Sequence, residues 1–495
     1  MITVVGTGTG APLPPDAEAA VAGAALVVGA RRHLAAARLP EGVEQIVLGP
    51  LAPALDVIAR YLEKTDRADR KDTAGRAEYG PRAGREERGA YGEPGRLGGR
   101  EAHGPHEDRG AQETFGERET YGERETYREQ ETYGQQETYG QREGGRVVVL
   151  ASGDPGFFGI VRALAERFGS RRLDVRPGVS SVATAFARLG LPWDDAVVVS
   201  AHGRDLRTAV HVCRSRPKVA VLTGPGSGPA ELGAALAHRS GARVLVVASA
   251  LGDPAHERVE RVTPAEAAAR DWGTAVSVVL CLDESRVLAP VRTVAGPATG
   301  PDRWALDEGE FTHRDSMISK FEVRALALAR LGPRLGELVW DVGAGSGSVA
   351  VECARFGAAV TAIEKTRDGC DRIRANAGAH GVEVRVVHGA APTVLSDLED
   401  PDAVFIGGGG RELPAIVTVC ARRARRAVVV AMAALDRVPA VRDALDAAGF
   451  ACDGVLLQSS RLAPLPGNVT RLAATNPVFL LWGVRPPART EGVPQ

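Results

Sequence analysis

The run Val339-Trp340-Asp341-Val342-Gly343-Ala344-Gly345-Ser346-Gly347-Ser348 constrains the fold most, because an apolar strand passes straight into a glycine-rich turn that opens a helix over Val349 to Arg355. Glycine is needed where a side chain would force a disfavoured dihedral or hold a ligand off the main chain. The spacing is G-x-G-x-G; a dinucleotide fingerprint would want its third glycine at 348, where the chain has Ser348. The stretch Ala358 to Ile363 predicts a second strand ending in Glu364, about 20 residues past the first glycine, where a carboxylate can accept both ribose hydroxyls. Strand, glycine turn, helix and acidic strand end together predict an α/β domain with a nucleoside-type ligand at its strand ends.

A chain of 495 residues exceeds what one core organises, so two or three domains are expected. The net charge of −1 offers no broad attraction to nucleic acid or an anionic membrane, and favours small-molecule chemistry. Six cysteines (213, 281, 353, 370, 420, 452) lie far apart without a C-x-x-C pair. That pattern argues against a zinc site and a disulfide framework, and predicts buried thiols in a reducing compartment. No metal is expected. The N-terminus lacks a basic region and cleavage site, and no apolar run reaches the ~18 residues of a membrane helix. A cytoplasmic protein is the expectation.

From 68 to 145 arginine, glutamate, glutamine and glycine dominate, and a six-residue repeat runs from Glu113 through Arg142, as in Glu119-Thr120-Tyr121-Gly122-Glu123-Arg124. Six of the seven tyrosines fall in this region, so aromatic content is not spent on packing. Disorder is expected on composition. A sticker segment for self-association or RNA is the competing reading, through cation–π contacts of Tyr and Arg. The insertion separates a helix expected over Asp56 to Lys64 from a strand over Val147 to Leu150. With it excised, strands are predicted at Ile2–Val5, Leu26–Val28, Val147–Leu150, Leu173–Arg176, Ala196–Val199, Val219–Leu222, Val244–Val247 and Val276–Leu280.

Three loops in this half follow strand ends, the usual place for ligands in open α/β sheets. They are Gly6-Thr7-Gly8-Thr9-Gly10, Ser152-Gly153-Asp154-Pro155-Gly156-Phe157-Phe158-Gly159 and Pro177-Gly178-Val179-Ser180-Ser181, the last with a serine placed to cap a helix. With Val28-Gly29-Ala30-Arg31-Arg32-His33, Leu191-Pro192-Trp193-Asp194-Asp195 and Ser200-Ala201-His202-Gly203-Arg204, they resemble the tetrapyrrole methylase family. The resemblance implies two α/β subdomains, divided near Trp193, with S-adenosylmethionine in the cleft between them. Carried over by motif, Gly8, Gly10, Gly153, Asp154, Pro155, Ser180 and Ser181 would line that cleft. Thr9 stands where the family usually has proline. His202 is a candidate general base or a hydrogen-bonded structural residue.

After a proline-rich linker, a second domain begins near Phe311 with Asp315-Ser316-Met317-Ile318-Ser319-Lys320-Phe321-Glu322-Val323-Arg324-Ala325 leading into a helix. Beyond Glu364 come Val384–Val387, Gly389-Ala390-Ala391-Pro392, a strand ending in the glycines 407–410, then Ala427–Val430 and Pro477–Trp482. The turn, helix and acidic strand end resemble the cofactor site of class I methyltransferases, and the order over 311–483 resembles the decarboxylating precorrin methyltransferases. That likeness implies Ser319, Gly343, Ala344, Gly345, Ser346, Gly347, Glu364 and Ala391 around S-adenosylmethionine, with Lys320, Arg324, Gly408, Gly409 and Arg411 toward a polycarboxylate substrate. Arg461 and Arg471 are further candidate cations, and Phe321 replaces a residue that is often polar. Nucleic acid methyltransferases share this cofactor fold, but typically carry N-P-P-[YF] where this chain has Ile406-Gly407-Gly408-Gly409-Gly410.

The expected organisation is a tetrapyrrole methylase domain over 1–285 carrying the insertion 68–145, a linker over 286–310, a Rossmann-like class I methyltransferase domain over 311–485, and a tail over 486–495. The two resemblances imply methylation of precorrin-6B at ring positions 5 and 15 with loss of the ring C acetate as carbon dioxide, in corrin ring biosynthesis. Position 15 and the decarboxylation would belong to the second domain. Homo-oligomerisation is expected, with no nucleic acid or membrane partner. No catalytic side chain is assigned, since no Ser-His-Asp or paired-carboxylate constellation is visible. The alternatives are a pathway scaffold with one inactive methylase domain, or a methylase of another tetrapyrrole.

Overall fold

The computed structural model describes residues 1–77 and 146–486, apart from Ala11, Pro50, 238–242, 274–276, 289–294, 297–299, Asp302 and 315–317. The chain builds three α/β layers. The first sheet contains β1 (Ile2–Gly6), β2 (Ala24–Gly29), β3 (Glu44–Val47), β4 (Arg146–Ala151) and β5 (Leu173–Arg176), all parallel in the order β3-β2-β4-β1-β5. Its central strands are near-continuous apolar runs because a parallel sheet is covered on both faces. Alternate residues divide accordingly: Ile2, Val4, Val147 and Val149 pack one core, while Val5, Val148 and Leu150 pack the other.

The second sheet contains β6 (Val197–Ser200), β7 (Lys218–Leu222), β8 (Arg243–Ser249), β9 (Arg258–Val262) and β10 (Ser277–Asp283), in the order β6-β7-β10-β8-β9. Only β6 and β7 are parallel; β10 runs antiparallel to both its neighbours. Trp193 lies on the passage between the sheets and stacks on Phe186, with centroids 6.3 Å apart.

The third sheet holds β11 (Leu338–Val342), β12 (Ala359–Glu364), β13 (Arg385–His388), β14 (Ala403–Ile406), β15 (Ala427–Met432) and β16 (Ala451–Leu457). A hairpin of β17 (Ser460–Leu465) and β18 (Val469–Ala474) leads into β19 (Val478–Val484), and the order is β13-β12-β11-β14-β15-β19-β16. Five parallel strands are extended by β19, which inserts antiparallel between β15 and β16.

Several elements differ from the sequence expectation. β3 and β9 were not anticipated: neither contains a buried apolar run, since only Val262 of β9 is buried and no residue of β3 is. The helix expected over Asp56 to Lys64 spans Leu51–Ala77, so its backbone continues past the expected insertion boundary at 68. Arginine, lysine and alanine are good helix formers even without an apolar face. From 78 onward the expected disorder, and with it the hexapeptide repeat, lies outside the described residues, as does nearly all of the expected tail.

The expected linker is also corrected at its end. Ala305 and Leu306 are buried, and Leu306 donates its N–H to Glu352 Oε1 at 2.6 Å, which seats this segment on the third sheet's domain.

Candidate cofactor and substrate sites

In the first domain, the loops after β1, β4 and β5 meet at the carboxyl edge of the sheet. Gly8 and Gly153 form an isolated bridge, with Gly153 N–H donating to Gly8 O at 2.9 Å. Thr7 donates both its N–H (2.8 Å) and its hydroxyl (3.0 Å) to Ala151 O. The packing leaves no room for side chains: a Cβ on Gly178 would stand 2.6 Å from Gly153 O and 2.7 Å from Gly8 N. Asp154 Oδ1 accepts the Gly156 N–H at 2.8 Å, which turns the loop, and Pro155 is buried behind it. Ser180 Oγ accepts the Ala183 N–H at 3.1 Å and caps the helix Ser181–Leu189. The structure therefore brings Gly8, Gly153, Asp154, Pro155, Ser180 and Ser181 to one sheet edge.

Gly10 points from this edge toward the second sheet, where a Cβ on it would lie 3.0 Å from Gly252 O. The turn around Gly252 belongs to the β8–β9 connection and meets the loop after β1 at this point. Ala250 in that turn has φ +49°, and Phe158 beside the Asp154 loop has φ +54° with half its surface exposed. Non-glycine residues held there store strain, a feature concentrated at ligand sites. Sequence reading missed both, since nothing in an alanine or a phenylalanine announces a positive φ. His202 places Nδ1 3.3 Å from Thr223 O, a structural contact.

In the second domain the glycine turn lies over the ends of β11 and β12. Gly343, Gly345 and Gly347 adopt φ of 73°, 59° and 73°, the left-handed region that favours glycine. Gly343 and Ala344 donate N–H bonds to Ile363 O at 2.9 and 3.1 Å, tying the turn to the neighbouring strand. Glu364 completes the link. Its Oε2 accepts the Gly345 N–H at 3.0 Å, while Oε1 accepts the Thr366 N–H (2.9 Å) and hydroxyl (2.7 Å). Carboxylate oxygens accept about four hydrogen bonds. A ribose hydroxyl can therefore take the remaining position or displace the Thr366 hydroxyl, so the residue fits a nucleoside.

Asp341 is buried beneath this turn, with Oδ2 accepting the Ala350 N–H at 2.9 Å. Burial, with a smaller push from the Glu364 charge, raises its carboxyl to about 7. Gly408 approaches the turn from β14, since a Cβ on Gly343 would stand 3.1 Å from the Gly408 main chain. Ala391 follows β13 on the same sheet edge and packs against the core. Ser346 is buried, and its carbonyl accepts from Asn376 Nδ2 at 2.8 Å. Asn376 also exchanges hydrogen bonds with both main-chain groups of Thr312, at 2.8 and 2.9 Å. It clamps the leading segment to the glycine turn, a role no motif revealed.

Ser319 and Lys320 are half-buried just before the helix Phe321–Leu331; Gly409 follows β14 and Arg411 is exposed beyond it. Arg324 is a correction. It is fully buried, with Nη1 donating to Ser319 O at 2.7 Å, Nη2 to Leu306 O, and Nε 3.5 Å from Glu352 Oε1. It holds the leading segment from within and does not face a substrate. Arg461 is likewise engaged, since its guanidinium donates to Glu308 at 2.9 Å and to Glu322 at 2.7 and 3.1 Å. No group of His, Cys, Asp and Glu suited to a metal is found among the described residues.

Comparison with known proteins follows the same division. Residues 1–268 match the Tetrapyrrole (Corrin/Porphyrin) Methylases, and residues 310–483 match the Precorrin methyltransferase domain. A Sinorhizobium protein named precorrin-6Y C(5,15)-methyltransferase [decarboxylating] is 40% identical over 273 residues, 54% of this chain and 63% of that protein. A Mycobacterium tuberculosis protein of the same name is 38% identical over 281 residues, 56% of this chain and 67% of that protein. A Pyrobaculum calidifontis protein named probable cobalt-precorrin-6B C(15)-methyltransferase (decarboxylating) is 36% identical over 170 residues, 33% of this chain and 87% of that protein. The match to the Sinorhizobium protein thus spans less than two thirds of its length. With more than half of its length matched by one family and its second crevice falling within the other match, the chain belongs to the tetrapyrrole methylases and carries a precorrin methyltransferase domain behind that fold.

Proposed function

We propose that this protein is an S-adenosylmethionine-dependent enzyme that methylates precorrin-6B at ring positions 5 and 15 and releases the ring C acetate as carbon dioxide. The observation that carries the reading is the presence of two separate glycine-lined crevices in one chain, each at the carboxyl edge of parallel strands. Two such glycine-lined edges suit two methyl transfers. The names of the bacterial relatives pair two ring positions with decarboxylation. The archaeal relative, aligned over a third of this chain, has a name that joins position 15 to the decarboxylation. Those two steps are therefore assigned to the second domain, and position 5 to the first.

When bound, S-adenosylmethionine supplies an electrophilic methyl group. In the second domain Gly343 to Gly347 would lie along its methionine part, Glu364 would take the ribose hydroxyls, and Ala391 and Ser319 would flank it. In the first, Gly8, Gly10, Gly153, Asp154, Pro155, Ser180 and Ser181 would line the cleft. Lys320 and Arg411, with the main chain of Gly408 and Gly409, would receive the substrate's carboxylates. The meso carbons of a reduced tetrapyrrole are already nucleophilic, so holding one in line with the methyl group provides much of the acceleration. Decarboxylation needs an electron sink, which the protonated macrocycle can provide.

Self-association through the β17–β18 hairpin is part of the proposal, because Leu462 and Leu472 lie directly opposite each other and are 78% and 67% exposed. We assign the protein to the cytoplasm on its free thiols, five of them buried. Among the described residues no helix is long and apolar enough to cross a membrane. The test is mass spectrometry of the reaction with precorrin-6B and S-adenosylmethionine. Two methyl additions with one loss of carbon dioxide are expected; an unchanged substrate would overturn the reading.

A further inference from the structure

Arg32, His33 and Ser152 converge at the carboxyl edge of the first sheet. β2 and β4 are neighbours, with Gly29 beside Leu150, so the short helix Arg31–Ala36 that carries Arg32 and His33 follows β2 beside the turn that runs from Ser152 into Gly153, Asp154 and Pro155. Arg32 Nη2 donates to Ser152 Oγ at 2.8 Å, Arg32 Nε donates to His33 Nε2 at 3.2 Å, and Ser152 Oγ lies 3.1 Å from the same His33 Nε2. A guanidinium only donates. His33 Nε2 must then present its lone pair, which puts the ring proton on Nδ1 and makes the imidazole neutral. Burial, assisted by the Arg32 charge, holds His33 below its ordinary value and keeps it neutral near pH 7. Ser152 is exposed next to Gly153 at the carboxyl edge, and His33 is half-buried.

We propose that His33, acting through Ser152, receives the proton that methyl transfer in the first domain must release. The inference rests on the reading that this domain methylates ring position 5. There a meso carbon bearing one hydrogen uses a π pair to form the new carbon–carbon bond at the expense of the methyl–sulfur bond, whose pair stays on sulfur. The carbon then carries hydrogen and methyl beside a cationic conjugated system. Breaking its C–H bond returns that pair to the macrocycle. The proton passes to Ser152 Oγ while the serine proton moves to His33 Nε2. Arg32 disfavours the resulting imidazolium, which passes its proton to water. A C–H bond next to a cationic π system is acidic, so a weak base suffices.

The experiment uses the full chain, precorrin-6B and 13C-methyl-labelled S-adenosylmethionine, and follows the 5-methyl and 15-methyl groups separately by NMR. In His33→Asn the kcat for the 5-methyl is expected to fall about 100-fold, with KM and calorimetric affinity for S-adenosylmethionine unchanged and the 15-methyl formed at the wild-type rate. Substrate deuterated at position 5 should show a larger isotope effect in the variant, because proton removal has become slow. The 15N shifts of the His33 ring in the wild-type protein should report the neutral Nδ1–H tautomer. Formation of the 5-methyl at the wild-type rate without an isotope effect would overturn the proposal. Loss of the 15-methyl in place of the 5-methyl would instead overturn the assignment of position 5 to this domain. If His33→Asn does not fold, Ser152→Ala, a smaller change at an exposed position, decides by the same criteria.

Discussion

His211 Nε2 lies 3.1 Å from Glu399 Oε1, and the two residues belong to different domains. His211 is fully buried on the helix Leu206–Ser215, from which Arg214 Nη1 also donates to Glu399 Oε2 at 2.9 Å and Arg207 Nη1 to Asp402 Oδ1 at 2.7 Å. Burial opposes ionisation of Glu399, but its bonds to His211 and Arg214 outweigh that and hold the carboxyl well below its ordinary value. An acid lowered on folding contributes stability above its unfolded value, lost as pH falls through the folded one. Glu399→Gln should weaken the junction by about 2 kcal/mol. In calorimetry at pH 7 the variant should show two separated transitions where the wild type shows one, and acidification of the wild type below about pH 4 should separate them too. A single transition for the variant, at the wild-type temperature, would remove this contact from any role in joining the domains.

The division of labour between the crevices is tested at Gly345. Its φ of +59° strains any other residue, and an arginine side chain would occupy the turn. Gly345→Arg is expected to abolish carbon dioxide release and the 15-methyl while methylation at position 5 persists. Loss of both methylations from a folded variant would show that the domains do not work independently.

Asp341 gives a stability prediction with a definite sign. Its carboxyl is raised by burial to about 7, so between its ordinary 3.8 and that value the folded state binds more protons than the unfolded one. Stability should therefore fall as pH rises across this window and level off above it. Asn keeps an oxygen to accept the Ala350 N–H and cannot ionise. The Tm of Asp341→Asn minus that of the wild type should thus be more positive at pH 8 than at pH 5, measured on cofactor-free protein. An identical difference at both values would mean that Asp341 stays ionised.

The loop motifs were legible because glycine and an acidic strand end carry their geometry in their chemistry. Gly343 to Gly347, Glu364 and Gly153 could be placed beside strand ends without a structure. Arg324 shows where this stops. It sits at i−3, i−4 and i−7 to Ala327, Leu328 and Leu331, all buried, so periodicity alone put it on the inner face. A buried arginine is rare unless paired, and its partner Glu352 is remote in sequence. The same limit hid Asn376, whose helix meets Thr312 and Ser346 from far along the chain, and the Arg32–His33–Ser152 contact, which depends on β2 and β4 lying side by side.

The helix Leu51–Ala77 sets the limits of a deletion test. Removing 68–145 would cut into that helix, whereas removing 78–145 and bridging with a short glycine linker spares it. For an insertion without a catalytic role, kcat and KM for both methylations should stay within about twofold, since surface insertions are tolerated. A large loss of turnover with an unchanged Tm would give the segment a part in the reaction.

The β17–β18 hairpin is anchored on one side only. Arg461 and Leu462 are consecutive and so point to opposite faces of the strand. Arg461 binds Glu308 and Glu322 of its own domain, and Glu308 is lowered to about 2, chiefly by that contact, so the anchor is ionised throughout the neutral range. Leu462, paired with Leu472, therefore presents the face turned away from the anchor. A two-stranded ribbon is only marginally stable alone, and covering a leucine side chain contributes about 2 kcal/mol. Four such leucines, two from each of two copies, would form the apolar centre of a dimer contact. The double variant Leu462→Glu, Leu472→Glu should shift the mass in analytical ultracentrifugation from an oligomer to the monomer without lowering the Tm of the monomer's core. A wild-type protein that sediments as a monomer at all concentrations would sink the idea.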